Sequence, residues 1–253
     1  MKADRCIEKE PQMTLTFQTQ TVDATWGCAY QQVVDTPGLQ NVKLCFVEVT
    51  NLATFAAVIT RGVLDKSWMT SLDPIDYMSY DMTVTETANK LVGIFQATSA
   101  TGTLGADFGE LMVTMSSAYA LEKIFSHLRL PIAELWKPKL SGNEGFDFHT
   151  TCPADLVNFG EAKYSSNTNP YTLAISQAED FIDHEKHFRD GVHLKSLVSP
   201  NCVKNLTGKQ FGMVAAFSIQ GKNPDLIFAN AAKSAAALAA KNKVNSIYLV
   251  GVK

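Results

Sequence analysis

The sequence predicts an α/β protein, and three features predict it. Short runs rich in branched and aromatic residues, at 43–49, 211–219 and 246–252, have the composition of strands. Between them lie longer stretches whose apolar residues recur every three or four positions, the spacing of a helix with one buried face. From residue 106 the two kinds follow one another as helix, three strands, helix, strand, helix, strand. That order suits a sheet with helices packed against it.

Taken in order, residues 13–19 alternate polar and apolar like an edge strand, and Asp35-Thr-Pro-Gly38 reads as a turn. After the strand at 43–49, Thr50 or Asn51 caps a helix over 52–65, with Phe55, Val58, Ile59 and Val63 at helical spacing. Residues 68–80 are apolar without a clear period, either a core-covering loop or a partner surface. A helix is expected over 85–96. The small-residue loop after it, 98–105, lacks the Gly-Lys-Ser/Thr of a P-loop. A longer helix runs from 106 to 128 and is stopped by Pro131, with Leu111, Met115, Ala118, Leu121 and Phe125 inward.

Residues 134–140 are expected to open a three-strand meander, irregular at Pro138, with a turn at 141–145. Lys137 and Lys139 there are candidates to meet a phosphate backbone. A helix is expected over 171–188, where Asp183-His184-Glu185-Lys186-His187 reads as solvated surface and not as a metal motif. Residues 191–209 connect it to the apolar run 211–219, which has the character of a central strand buried on both faces. Asn223-Pro-Asp begins a further helix, which the alanine-rich run 229–243 favours by propensity. The strand at 246–252 closes the chain.

Composition sets the limits. At 253 residues, 46% of them hydrophobic, the chain suits one large domain or a core with an extension. With 19% charged residues and a net charge of −3 it is no self-sufficient basic binder of nucleic acid, so such binding needs a local patch or a partner. Cys6, Cys28, Cys45, Cys152 and Cys202 are odd in number and scattered, which excludes zinc-finger spacing and argues against a disulfide scaffold. A reducing cytoplasm fits best. The N-terminus has no apolar leader region and no stretch of eighteen apolar residues exists, so neither a secretory signal nor a membrane span is expected.

The chemistry gathers in residues 145–177. Cys152-Pro-Ala-Asp155 supplies a turn between two short strands. On the second, Val157, Phe159, Glu161 and Lys163 share a face, because side chains two apart point the same way. An apolar face thus ends in an acid and a lysine. The first strand carries Asp147 between Phe146 and Phe148, and antiparallel pairing brings Asp147 near Glu161. Two neighbouring carboxylates repel each other. A hard divalent cation, which favours oxygen ligands, removes that cost, and a lysine beside them holds a water or balances charge on a phosphate. Glu-x-Lys alone is most often an exposed ion pair worth under about 1 kcal/mol. The upstream Asp147 and the downstream helical Gln177 tip the balance towards a site. His149 shares the Asp147 strand face, and a packed histidine is a better reading of it than a phosphate contact.

Asp147, thirteen intervening residues, Glu161-Ala-Lys163 and then a helical Gln177 are similar to the core of the PD-(D/E)XK nuclease superfamily. Gly105-Ala-Asp-Phe-Gly-Glu110 opening a helix, followed by GFDFH and GEAKYS, resembles a narrower group over about residues 104–190. That group is the HamA-like nuclease subunit of Hachiman anti-phage defence systems. The resemblance implies a restriction-endonuclease-like core (helix, three-strand meander, helix, strand) over 104–253, with 1–103 as an N-terminal α/β extension packed on it. It implies a Mg2+-dependent (or Mn2+-dependent) nuclease acting on DNA, with a helicase subunit as partner. Asp147 and Glu161 are the implied metal ligands, with the carbonyl of Ala162 and with Glu110 as further ones. Lys163 is implied to position water or stabilise charge, and Gln177 to orient the acid–lysine pair. On the residues alone, Asp107 and Glu110 equally well complement a helix dipole, and Gln177 equally well lies at the surface.

Two other readings stay open. A stand-alone restriction-type endonuclease needs its own recognition element, and no helix-turn-helix or zinc module is visible. A catalytically inactive nuclease-fold scaffold is opposed by the joint presence of Asp147, Glu161 and Lys163. No G-x-S-x-G elbow or evident Cys–His dyad supports another hydrolase chemistry.

Overall fold

The computed structural model describes residues 15–35, 39, 41–101, 105–137, 145–241 and 243–253. The chain begins with β1 (Thr16–Phe17), β2 (Thr21–Asp23), β3 (Cys28–Asp35) and β4 (Val42–Val49). Next come α1 (Leu52–Leu64), a 3-10 turn at Ser67–Ser71, α2 (Pro74–Thr101), α3 (Ala106–Phe125), β5 (Leu128–Arg129) and α4 (Ala133–Trp136). The remainder runs β6 (Phe148–Thr151), β7 (Val157–Lys163), α5 (Tyr171–Asp183), α6 (Lys186–Leu194), α7 (Pro200–Thr207), β8 (Gly212–Ser218), α8 (Pro224–Ala239) and β9 (Ser246–Val252).

Among the described residues these strands form one mixed sheet in the order β1-β3-β4-β9-β8-β7-β6-β5, with β2 on β3. Its centre, β4-β9-β8-β7, is parallel, and its flanks are antiparallel. Every residue of β8 is buried, the expected state of a parallel strand covered on both faces. The β4–β9 ladder joins the N-terminal α/β segment to the rest in a single sheet. Helix α3 packs along β4, β6, β7 and β9, while α5 covers β7 and β8 and α8 covers β4 and β9. Lys163 is in register with Phe217, whose ring touches Tyr171 of α5 and Phe228 of α8. The β7 face that carries Phe159, Glu161 and Lys163 is therefore the one beneath α5 and α8.

Several elements depart from the sequence expectation, each for a local reason. The strand expected at 134–140 is the short helix α4, closed by the Trp136 indole N–H donating to the Pro131 carbonyl at 2.9 Å. The outer strand of the meander is instead β5, paired with β6 at Leu128 and Arg129. The apolar stretch 68–80 is a 3-10 turn followed by the start of α2, because Asp73 Oδ1 accepts from the N–H groups of Ile75 and Asp76 and caps the helix. The helix expected over 171–188 breaks at Glu185, whose φ of 54° is left-handed. The new helix α6 that follows buries His187, read from sequence as solvated, among Phe159, Phe188 and Phe211. The connection 191–209 contains α7, capped by the Ser199 hydroxyl. Lys139 and most of the turns expected at 35–38 and 141–145 lie outside the described residues.

Candidate active site

β6 and β7 pair antiparallel with Phe148 opposite Gly160, so Asp147, one residue before β6, falls beside Glu161. A close approach makes this possible: a Cβ on Gly160 would lie 2.5 Å from the Phe148 ring. The Asp147 peptide is held on both sides. Its N–H donates to the Gly160 carbonyl at 2.9 Å, and its carbonyl accepts from the Ala133 N–H of α4 at 3.1 Å. Its side chain is oriented too, because Oδ2 accepts from the Ala162 N–H at 2.7 Å. The N–H and C=O of one residue in an extended strand leave by the same edge. The Ala162 carbonyl therefore points to the edge where Asp147 sits.

Glu161 is 1% exposed. Its Oε1 meets Lys163 Nζ at 2.6 Å, while Oε2 is buried with no hydrogen-bond partner. Lys163 Nζ also lies 3.7 Å from Glu110 Oε1 at the start of α3. That approach depends on Gly109, where a Cβ would sit 2.3 Å from the Tyr164 ring. Sequence reasoning missed Glu134, which α4 brings close enough to act on Asp147. Nothing in the sequence marked it, because its placement depends on α4 being a helix.

The electrostatics follow from burial and from these neighbours. Desolvation, then Glu161 and Glu134, hold the Asp147 pKa well above the ordinary carboxylate value, against the Ala162 hydrogen bond that lowers it. Desolvation is also the largest influence on Glu161. Lys163 opposes it, and the pKa rests at about 7. Burial works against the Lys163 ammonium, but Glu161, Asp147 and Glu110 outweigh it and raise its pKa. A cavity of about 480 Å³ opens alongside, lined among others by Lys90 of α2, Asp107 and Glu110 of α3, and Glu134 and Lys137 at α4.

Of the residues singled out from sequence, Asp147, Glu161, Ala162, Lys163 and Glu110 come together. Gln177 is half-buried on α5, the helix that covers the Glu161 face. No hydrogen bond joins it to Asp147, Glu161 or Lys163 among the described residues. His149 is fully buried and gives its Nε2 to Asp190 Oδ2 at 2.9 Å, so it is a packed histidine and not a rim contact. Lys137 faces inward, 2.8 Å from the same Asp190 oxygen.

Among the described residues no three His, Cys, Asp or Glu side chains form a metal cage by themselves. The donors at hand fit a hard divalent cation in a different way. They are two desolvated carboxylates, one with an oxygen lacking any partner, and a main-chain carbonyl at the same edge. Oxygen donors of this kind suit Mg2+, which keeps several waters and needs few protein ligands.

The fold thus defines an α/β protein with an acid–lysine cluster at the end of its β6–β7 pair. Comparison of the chain with protein families, with curated proteins and with solved structures finds no match. No helix among the described residues is long and apolar enough to cross a membrane.

Proposed function

We propose that the chain is a divalent-metal-dependent nuclease of the PD-(D/E)XK type that hydrolyses phosphodiester bonds of DNA. The observation that carries this reading is the Asp147–Ala162–Glu161–Lys163 arrangement. Asp147 Oδ2 is tied to the Ala162 N–H, and Lys163 Nζ is 2.6 Å from a Glu161 whose second oxygen has no partner. Asp147, Glu161 and the Ala162 carbonyl would hold Mg2+ or Mn2+, with Glu110 available as a further acid through Lys163. Such an ion neutralises phosphate charge and lowers the pKa of an attacking water.

The chain's own groups do the rest. Lys163 carries positive charge to the point where the phosphorus gains negative charge, held there by Glu161 and Glu110. The buried rings of Phe146 and Phe159 pack on each other and tie the two strands together beside the acids. Gln177, half-buried on the covering helix α5, would steady the acid–lysine pair once substrate is bound.

The resemblance over residues 104–190 supports a narrower reading, the effector subunit of a helicase-containing anti-phage defence complex. The net charge of −3 accords with DNA being gripped by a partner. The buried free thiols of Cys28, Cys45 and Cys202 suit the cytoplasm. The test is DNA cleavage by the purified chain, alone and with its helicase partner, in Mg2+ or Mn2+. Glu161→Ala and Lys163→Ala are expected to fold and not cut, and a double variant that degrades DNA as well as the parent overturns the assignment.

A further inference from the structure

We propose that Asp190 is a positioning residue for the acid pair, acting through Lys137 and His149 on the chain either side of Asp147. The inference rests on the nuclease reading above. One oxygen, Asp190 Oδ2, takes both partners, Lys137 Nζ at 2.8 Å and His149 Nε2 at 2.9 Å. Lys137 Nζ also donates to the Phe146 carbonyl at 2.7 Å. Phe146 immediately precedes Asp147, and His149 follows it by two residues. A single carboxylate on α6 thus fixes the backbone before Asp147 and the side chain after it.

The network is buried and unlike a surface ion pair. His149 is 0% exposed, and the Lys137 and Asp190 side chains are 13% and 6% exposed. The imidazole lies among Trp136, Phe146 and Phe159. Apolar side chains of similar volume would stabilise such a place at least as well as a buried charge pair. Orientation explains the pair better than stability does. Gly145 is an independent sign of the same thing: a Cβ there would lie 2.6 Å from Lys137 Nζ and 3.3 Å from Asp190 Oδ1. The space that the pair occupies exists only because residue 145 has no side chain.

The test uses the full chain as Asp190→Asn, Lys137→Met and Gly145→Ala, the last displacing the pair without removing a charge. Mn2+ affinity is read by calorimetry, and folding by circular dichroism and thermal melting. Groups that orient metal ligands change affinity by about 10–100-fold when lost. Folded Asp190→Asn and Lys137→Met proteins are therefore expected to bind Mn2+ at least about tenfold more weakly, with Gly145→Ala weakened in the same direction. Any one folded variant decides the matter. Folded variants that bind like the parent overturn the positioning role, and so does unfolding of all three, which would mark the network as purely structural. A parent chain that binds no Mn2+ overturns the nuclease reading itself, a result distinguishable from either.

Discussion

Lys163 Nζ stands 2.6 Å from Glu161 Oε1, two residues back along the same face of β7. The lysine satisfies one carboxylate oxygen and leaves Oε2 buried without a partner. An unsatisfied buried carboxylate oxygen costs free energy in the folded chain. A cation bound at Oε2 would offset that cost.

Lys163→Met removes the charge while keeping most of the side-chain volume. Losing one preorganised electrostatic group from a hydrolytic site typically costs about 10²–10³ in rate. DNA cleavage in Mg2+ should fall by that amount while the circular dichroism spectrum stays unchanged. A variant that cuts at the parental rate would place the chemistry elsewhere.

Glu161 gives stability a pH dependence of defined sign. Its folded pKa of about 7 lies above the ordinary carboxylate value of 4.5, so its neutral form favours the folded state. That contribution is whole below about pH 4.5 and is lost as pH rises through about 7, a change of about 3 kcal/mol at most. In chelator, the difference in unfolding free energy between parent and Glu161→Gln should shift by up to this amount over that window. A flat difference would show that burial does not perturb Glu161.

Divalent metal should stabilise the chain. Ligand at about 100 times its dissociation constant adds about 2.7 kcal/mol. In a protein of this size that raises the melting midpoint by roughly 5–10 °C. Mg2+ or Mn2+ should produce such a rise, a chelator should reverse it, and Glu161→Ala should not show it. Equal shifts in both proteins would mean the ion binds away from Glu161.

Gly109 is where α3 meets the end of β7. Gly109→Ala places a methyl 2.3 Å from the Tyr164 ring, and overpacking of this kind costs about 1–3 kcal/mol. Thermal melting should register the loss, and Tyr164→Ser in the same chain should recover part of it. Without that recovery the contact is not what holds α3 in place.

Much of the site was legible because it is local to two strands. Alternation along 157–163 puts Glu161 and Lys163 on one face whatever packs above them. The turn at 152–155 pairs β6 with β7 and brings Asp147 alongside. Glu134 was illegible for the opposite reason. Residues 134–140 read as a strand, and the helix α4 that stands there instead is chosen by contacts far along the chain, such as the Ala133 N–H on the Asp147 carbonyl. Asp190 was hidden likewise: it lies in a charged run, and only α6 folding back carries it to a histidine 41 residues earlier.

The residues alone carried the α/β class, the buried central strand that is β8, the closing strand that is β9, and the placing of Glu161 and Lys163 on one strand face, because strand composition and period-two alternation act over a few residues. Tertiary structure decided where α2 begins, the break at Glu185, the burial of His187, and the Lys137–Asp190–His149 network beneath the acids. Those features depend on which distant surfaces are removed from water together, and a charged or aromatic residue looks the same in the sequence whether it ends at the surface or against Phe159.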